Sequence, residues 1–362
     1  MSLEDEIEET KKKLRETPVN KSTETERGRL KGKIARLKEE KDQKQKESQA
    51  SGQGYAVKQR GDATVSLVGP PSVGKSTLLN KLTNADSEVA GYEFTTLEVI
   101  PGMMSFRGAN IQILDVPGLV RGAAKGKGGG KKVLSVVRNS DMVLLMVDEE
   151  KIDMVKDMQE ELYDAGVRLN QTPPDMEVME RGEGGIEISA ACDLSLEEET
   201  VRQVLRDNGF VNCKVIIRED LDLEKLLDGL MDNRVYMPGL VCINKVDDLD
   251  DGRKKNLEEE HPEWLFISSE EDENLEELKE RIWDGLELMR IYMKKRNKEP
   301  DKEEPLIVGK SSTVKEVMEG LDKSFSKPLD YAKVWGESAK FPGQKVGSDH
   351  ELKDEDVVEL RF

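Results

Sequence analysis

Positions 69–76 read Gly-Pro-Pro-Ser-Val-Gly-Lys-Ser, the pattern G-x-x-x-x-G-K-S, directly after a β-rich run at 63–68 and at the opening of a helical pattern. The motif constrains the fold strongly, because strand, glycine-bearing turn and helix N-terminus must be joined in that order for successive N–H groups to converge on an anion. The spacing therefore predicts a strand over 63–68, a helix from Gly74, and around them an α/β fold. In such a loop backbone N–H groups surround a β-phosphate, the Lys75 ammonium neutralises β and γ oxygens, and the Ser76 hydroxyl is offered to Mg²⁺. Gly69, Pro70, Pro71, Ser72, Val73, Gly74, Lys75, Ser76 and Thr77 are the candidate phosphate-binding residues.

Beyond that point short β-rich runs alternate with helical patterns. Strands are expected at 63–68, 98–105, 110–115, 142–147, 240–243 and 265–267, with helices at 151–165 and about 274–293. This is the rhythm of a mostly parallel sheet covered on both faces. Between 168 and 236 the rhythm breaks. Strands near 185–190 and 213–217, with helices near 196–208 and 222–231, read as a small α/β domain inserted between two strands of the sheet.

At the start of the chain, 3–16 and 23–47 read as a helical hairpin interrupted by Pro18 and Asn20, with Thr23 and Glu26 at capping-box spacing. Leu30, Ile34 and Leu37 form its narrow apolar stripe, which suits either packing on the main domain or a partner. The stretch 294–305 is charged and carries two prolines. After it, 306–308, a helix over 313–324, 331–334 and 357–360 suggest a β-grasp-like sheet crossed by one helix. The expected division is a hairpin at 1–50, a linker at 51–62, a main domain at 63–293 with 168–236 inserted, a second linker at 294–304, and a last domain at 305–362.

Four further motifs converge on one chemistry. Asp115-Val116-Pro117-Gly118 follows an apolar strand, so Asp115 is expected beside the phosphate loop, holding Mg²⁺ through water, with the Gly118 N–H meeting a γ-phosphate. Asn244-Lys245-Val246-Asp247 leaves another apolar strand at the same edge and has the N-K-x-D form of a guanine reader. The Asp247 carboxylate can accept from guanine N1–H and N2–H₂, where adenine has no donor, and an unpaired carboxylate is costly enough to reject the wrong base. Ser268-Ser269-Glu270 stands where an N–H to guanine O6 is expected, although the usual middle residue is Ala. Thr95 and Thr96 lie where a mobile loop brings a hydroxyl to Mg²⁺ when γ-phosphate is present, and Thr96 is preferred. GTP or GDP is thus the expected ligand. Lys75, Thr96 and Gly118 are the candidate catalytic groups, Ser76, Thr96 and Asp115 the metal ligands, and about 85–97 and 116–132 the switch loops.

Composition bounds the partners. The net charge is −19, but residues 1–50 carry 14 Lys or Arg against 12 Asp or Glu, so a polyanion would be met by local patches. The stretch Arg121 to Lys132 is one such patch, with five cations and five glycines. With so acidic a chain no DNA partner is expected, and no membrane span is, since the apolar runs fall far short of about 20 residues. Cys192, Cys213 and Cys242 are odd in number and lack ribbon or redox spacing, which points to a reducing cytoplasm. His261 and His350, the only histidines, give no basis for a metal site or triad.

The pieces Gly69 to Leu79, Tyr92-Glu-Phe-Thr-Thr-Leu97, Asp115 to Ala124, Asn233-Arg-Val-Tyr-Met-Pro238 and Asn244 to Asp247 together resemble the developmentally regulated GTP-binding proteins of the Obg superfamily, over nearly the whole chain. The resemblance implies a P-loop GTPase domain with a small α/β insertion, an N-terminal helix-turn-helix and a C-terminal TGS domain. It also implies a role in translation, association with the ribosome or ribosomal RNA, and a regulatory partner protein.

Two departures bear on mechanism. Leu119 follows Gly118 where many switch GTPases place a water-orienting Gln, so slow intrinsic hydrolysis is expected. Several relatives with this apolar residue use K⁺ held partly by a phosphate-loop Asn, whose counterpart here is Ser72; a hydroxyl could supply one oxygen, so K⁺ stimulation is admitted rather than expected. The leading reading is a GTPase. Its rival is a GTP-dependent docking module with near-vestigial hydrolysis, and an ATPase of the related TGS-bearing branch is disfavoured by Asp247.

Overall fold

The computed structural model describes residues 3–18, 23, 26–37, 61–83, 99–117, 130–296, 298–321 and 329–362. The chain opens with helices α1 (Leu3–Glu16) and α2 (26–37). It continues through β1 (Ala63–Val68), α3 (Lys75–Leu82), β2 (Ile100–Phe106), β3 (Ala109–Asp115), α4 (Gly130–Arg138), β4 (Met142–Val147) and α5 (Met154–Asp164). Next come β5 (Val167–Leu169), β6 (Met176–Glu180), β7 (Ile186–Ala190), α6 (Glu198–Asp207), β8 (Cys213–Ile217), α7 (Leu223–Gly229) and β9 (Val235–Met237). The remainder is β10 (Gly239–Ile243), α8 (Asp251–Glu260), β11 (Leu265–Phe266), α9 (Leu275–Gly285), β12 (Leu288–Met293), β13 (Leu306–Gly309), α10 (Val314–Leu321), β14 (Tyr331–Trp335), β15 (Gln344–Val346) and β16 (Asp356–Arg361). Two compact units result, one from Met1–Tyr55 with Gly166–Tyr236 and one from Ala56–Ala165 with Met237–Phe362.

In the second unit a six-stranded sheet has the order β11-β10-β4-β1-β3-β2, parallel except for β2 at the edge. β1 and β4 are buried at every position, which explains why β4 is wholly apolar, as central parallel strands are. The polar residues of β1 are satisfied inside: Ser66 shares a 2.6 Å hydrogen bond with Ser140, and Asp141 accepts the Thr64 N–H at 2.7 Å. Leu78, Leu144, Met146, Leu278 and Ile282 fill the core between sheet and helices.

The apolar pattern over 274–293 does not make one helix. α9 stops at Gly285, Glu287 adopts φ 50°, and β12 follows with its side chains alternating between faces. Leu286, Leu288, Met289 and Ile291 are spaced ambiguously, and the left-handed Glu287 ends the helical course. β12 joins a second sheet of order β13-β12-β16-β14-β15, so that sheet takes a strand from before the charged stretch 294–305, which connects β12 to its antiparallel neighbour β13. Val314 and Val317 of α10 pack on Met289, Ile291, Ala332, Val334 and Val358, the one-helix-on-a-sheet arrangement of a β-grasp.

In the first unit β6, β8 and β7 form a three-stranded sheet over which α6 and α7 close a core of Val201, Val204, Leu205, Val215 and Leu226. The hairpin packs here: Gly28 lies against Leu223, Gly32 against Asn208, and Lys31 pairs with Glu224. Ile34 and Leu37 are buried, and Arg27 ties α2 to the end of α1 by donating to the Thr17 carbonyl at 2.6 Å. Among the described residues no helix is long and apolar enough to cross a membrane.

β5 and β9, where the inserted segment begins and ends, pair as a two-stranded ladder. Beside it Arg168 and Asp228 are buried; Arg168 Nη2 donates to Asp228 Oδ1 at 2.7 Å, and Arg234 Nε donates to the same oxygen at 2.6 Å. Neutralising Asp228 would take the carboxylate charge away from a buried guanidinium that it pairs with through both oxygens. Asp228→Asn is therefore expected to lower unfolding free energy in guanidinium chloride by about 3–5 kcal/mol, and a loss under about 1 kcal/mol would contradict that role.

Candidate functional site

Parallel strands bring their carboxyl ends to one edge of the six-stranded sheet, where ligands of open α/β sheets bind. The chain places Gly69 there after β1, Asp115 at the end of β3, Asp148 after β4, Asn244 after β10 and Ser268 two residues past β11. All belong to one compact unit.

The loop between β1 and α3 is fixed by close backbone approaches. A Cβ on Gly69 would stand 2.2 Å from the Met146 carbonyl oxygen, and one on Gly74, whose φ is 94°, would stand 2.4 Å from the Asn244 amide nitrogen. Ser72 takes φ 66°, a conformation uncommon away from glycine. Two donors from the N-K-x-D segment hold consecutive carbonyls of this loop: Lys245 Nζ reaches the Ser72 oxygen and Asn244 Nδ2 the Val73 oxygen, each at 2.8 Å. Pro70 and Val73 are buried, whereas Pro71 and Ser72 are exposed.

Lys75 folds its ammonium back onto the Gly69 and Pro70 carbonyls at 3.0 and 3.1 Å. Burial pushes its pKa down and the Asp115 carboxylate opposes the shift. A phosphate in the loop would favour the ammonium further. Ser76 Oγ donates to Asp115 Oδ2 at 2.9 Å, joining the first turn of α3 to the end of β3, while Thr77 is half-buried. These two hard oxygen donors fit Mg²⁺, which binds few protein ligands and completes its shell with phosphate and water.

On the base-reading side Asn244 is 3% exposed and its amide works in two directions. While Nδ2 donates to Val73, Oδ1 accepts both the Ser269 N–H and the Ser269 hydroxyl at 2.9 Å. Lys245 has φ 65°, and Asp247 lies in the short 3-10 turn Val246–Asp248, exposed and with its carboxylate unpaired among the described residues. The turn after β11 is tight: Ser268 donates its N–H to the Glu273 carbonyl at 3.2 Å, and its hydroxyl accepts from the Glu271 N–H at 3.0 Å. Of the three N–H groups expected near guanine O6, those of Ser268 and Ser269 thus have protein partners. The Glu270 N–H has none among the described residues.

Thr95, Thr96, Gly118, Leu119 and positions 121–129 lie outside the described residues. Two site features escaped sequence reasoning. The bridging role of Asn244 depends on tertiary proximity, which no local pattern encodes. Asp148 could have been noticed, since it ends an apolar strand just as Asp115 does; its Oδ2 accepts from Lys151 at 2.7 Å and faces Lys245 Nζ at 3.4 Å.

Comparison with known proteins agrees with this arrangement. Residues 64–179 match the family described as 50S ribosome-binding GTPase, 183–288 the C-terminal region of the MMR_HSR1 domain, and 289–361 the TGS domain. The last match begins within β12, the strand that joins the C-terminal sheet. The chain is 47% identical to a GTP-binding protein of Halobacterium salinarum, over 99% of each chain, and 46% identical to one of Methanocaldococcus jannaschii, over 99% of this chain and 93% of that one. It is 38% identical, over 99% of each chain, to developmentally-regulated GTP-binding protein 2 of Homo sapiens.

The geometry separates Asn244 from Asp247. Asn244→Ala would unpair a buried carbonyl, N–H and hydroxyl, so urea unfolding of the nucleotide-free protein should show a loss of about 2–4 kcal/mol. Asp247→Ala, at an exposed position, should change the same measurement by less than about 0.5 kcal/mol. Equal losses would contradict the bridging role.

Proposed function

We propose, from the premise that the chain belongs to the developmentally regulated GTP-binding protein family, that it binds GTP with Mg²⁺, hydrolyses it to GDP and phosphate, and acts in translation through the ribosome or its RNA. The observation that carries the nucleotide reading is the cradle at the end of β1. Its carbonyls are tied by Asn244 and Lys245, with Lys75 and the Ser76–Asp115 pair gathered around it.

In this reading the loop N–H groups and Lys75 bind and orient the phosphates, and Asp247 reads the purine. Ser76 and Asp115, joined by Thr96 from the first switch loop, would hold Mg²⁺, which when bound neutralises charge on the β and γ oxygens. The Gly118 N–H meets the γ-phosphate and couples the second loop to nucleotide state. Hydrolysis is in-line attack of water on the γ-phosphorus with GDP leaving, and its acceleration is mostly electrostatic. Leu119 has no group with which to orient that water, so intrinsic turnover is slow and an ion or partner accelerates it. Ser72 offers one oxygen toward K⁺. The ribosomal role rests on the family description and on the basic stretch 121–132, with the cytoplasm as the compartment and a partner protein as regulator.

Leu119 also favours a second reading, a GTP-dependent docking module in which hydrolysis is nearly vestigial. Single-turnover hydrolysis with and without ribosomes separates the two. The GTPase reading expects acceleration of at least about tenfold, about 1.4 kcal/mol off the barrier. The docking reading expects cosedimentation with GTP or a nonhydrolysable analogue, little with GDP, and no acceleration. Neither outcome would remove both. Equal turnover in K⁺ and Na⁺ buffers would remove a role for K⁺.

A further inference from the structure

Asp148 stands outside the roles assigned above, and its surroundings give it one. It follows β4, between the phosphate loop after β1 and the N-K-x-D segment after β10, and is 6% exposed. Oδ2 takes two ammonium groups, Lys151 at 2.7 Å and Lys245 at 3.4 Å, while Oδ1 is buried with no hydrogen-bond partner among the described residues. A buried carboxylate so sparsely hydrogen-bonded depends on its cations remaining in place, because loss of either leaves charge uncompensated in a poorly solvated site. Lys245 in turn donates to the carbonyl of Ser72, the residue held at φ 66° in the phosphate loop.

We infer that Asp148 is a positioning residue for nucleotide binding: it anchors the Lys245 ammonium against the Ser72 carbonyl, so that the phosphate loop and the guanine reader are held in register before nucleotide arrives. Asp148 acts through Lys245 and touches no reacting atom. A long, half-exposed lysine without this anchor would sample many rotamers, and binding would carry the cost of ordering it. Lys151 shares the carboxylate but has no hydrogen bond to the phosphate loop among the described residues, so it supplies balancing charge rather than positioning.

This inference rests on the GTP reading, and the full-length wild type keeps the two apart: if it binds neither GDP nor GTP, that reading fails and this one with it. Given wild-type binding, the test is a double-mutant cycle on the dissociation constant of a fluorescent GDP analogue, using Asp148→Asn, Lys245→Met and the pair. Asp148→Asn is expected to weaken binding about tenfold, or about 1.4 kcal/mol. The same substitution should add less than about twofold in the Lys245→Met background, since the residue it works through is gone. Asp148→Glu should recover part of the loss, and Lys151→Met should stay within about twofold of wild type. The inference is overturned if the Asp148→Asn effect persists undiminished without Lys245. It is also overturned if binding is unaffected, or if Asp148→Asn abolishes folding, which would assign the carboxylate to the core.

Discussion

One buried amide holds the site together. Asn244 sits at the end of a parallel strand, donates to the Val73 carbonyl of the phosphate loop and accepts from the Ser269 backbone and hydroxyl. Three segments far apart in the chain are joined by one side chain that is 3% exposed. The loop has no regular structure to stabilise its own carbonyls, so without these donors those of Ser72 and Val73 would lack protein partners among the described residues. The sheet provides the framework: the parallel order of β1, β4, β10 and β11 brings the three segments to the same edge. The absence of a side chain on Gly74 then lets the amide approach.

Under the proposed function, phosphate binding and base recognition are joined in one segment. Asn244 and Lys245 belong to the N-K-x-D segment, yet each donates a hydrogen bond to the phosphate loop. Asp247, the member proposed to read the base, is exposed, and its carboxylate is unpaired among the described residues. The segment therefore has an anchored half and, in the proposed function, a reading half. In the proposed function base discrimination would depend on a site whose shape is fixed from the phosphate side, the kind of preorganisation that lowers the ordering cost of binding.

Much of this was legible in the sequence where chemistry is local. The phosphate loop, the Asp115 strand end and the N-K-x-D segment each combine an apolar strand with a polar residue at its carboxyl end, and these strands form at 63–68, 109–115 and 239–243. Other elements were hidden for physical reasons. α8 has a single buried residue, Leu257, so no apolar stripe announces it, although Asp250 caps it by accepting from the Arg253 N–H. β15 is three residues long, and β12 reads as the end of a helix because its apolar residues satisfy both periodicities until Glu287 breaks the helical course. The packing of the N-terminal hairpin on α6 and α7 rests on Gly28 and Gly32, whose significance lies in the neighbours that touch them.

The proposal that this preassembled site selects guanosine triphosphate is tested most directly by calorimetric titration of the nucleotide-free chain with GTP and ATP in Mg²⁺. GTP should bind with a dissociation constant at least about 100-fold below that of ATP, a difference of about 2.7 kcal/mol set by Asp247. Equal affinity for the two nucleotides, or binding of neither, would contradict it.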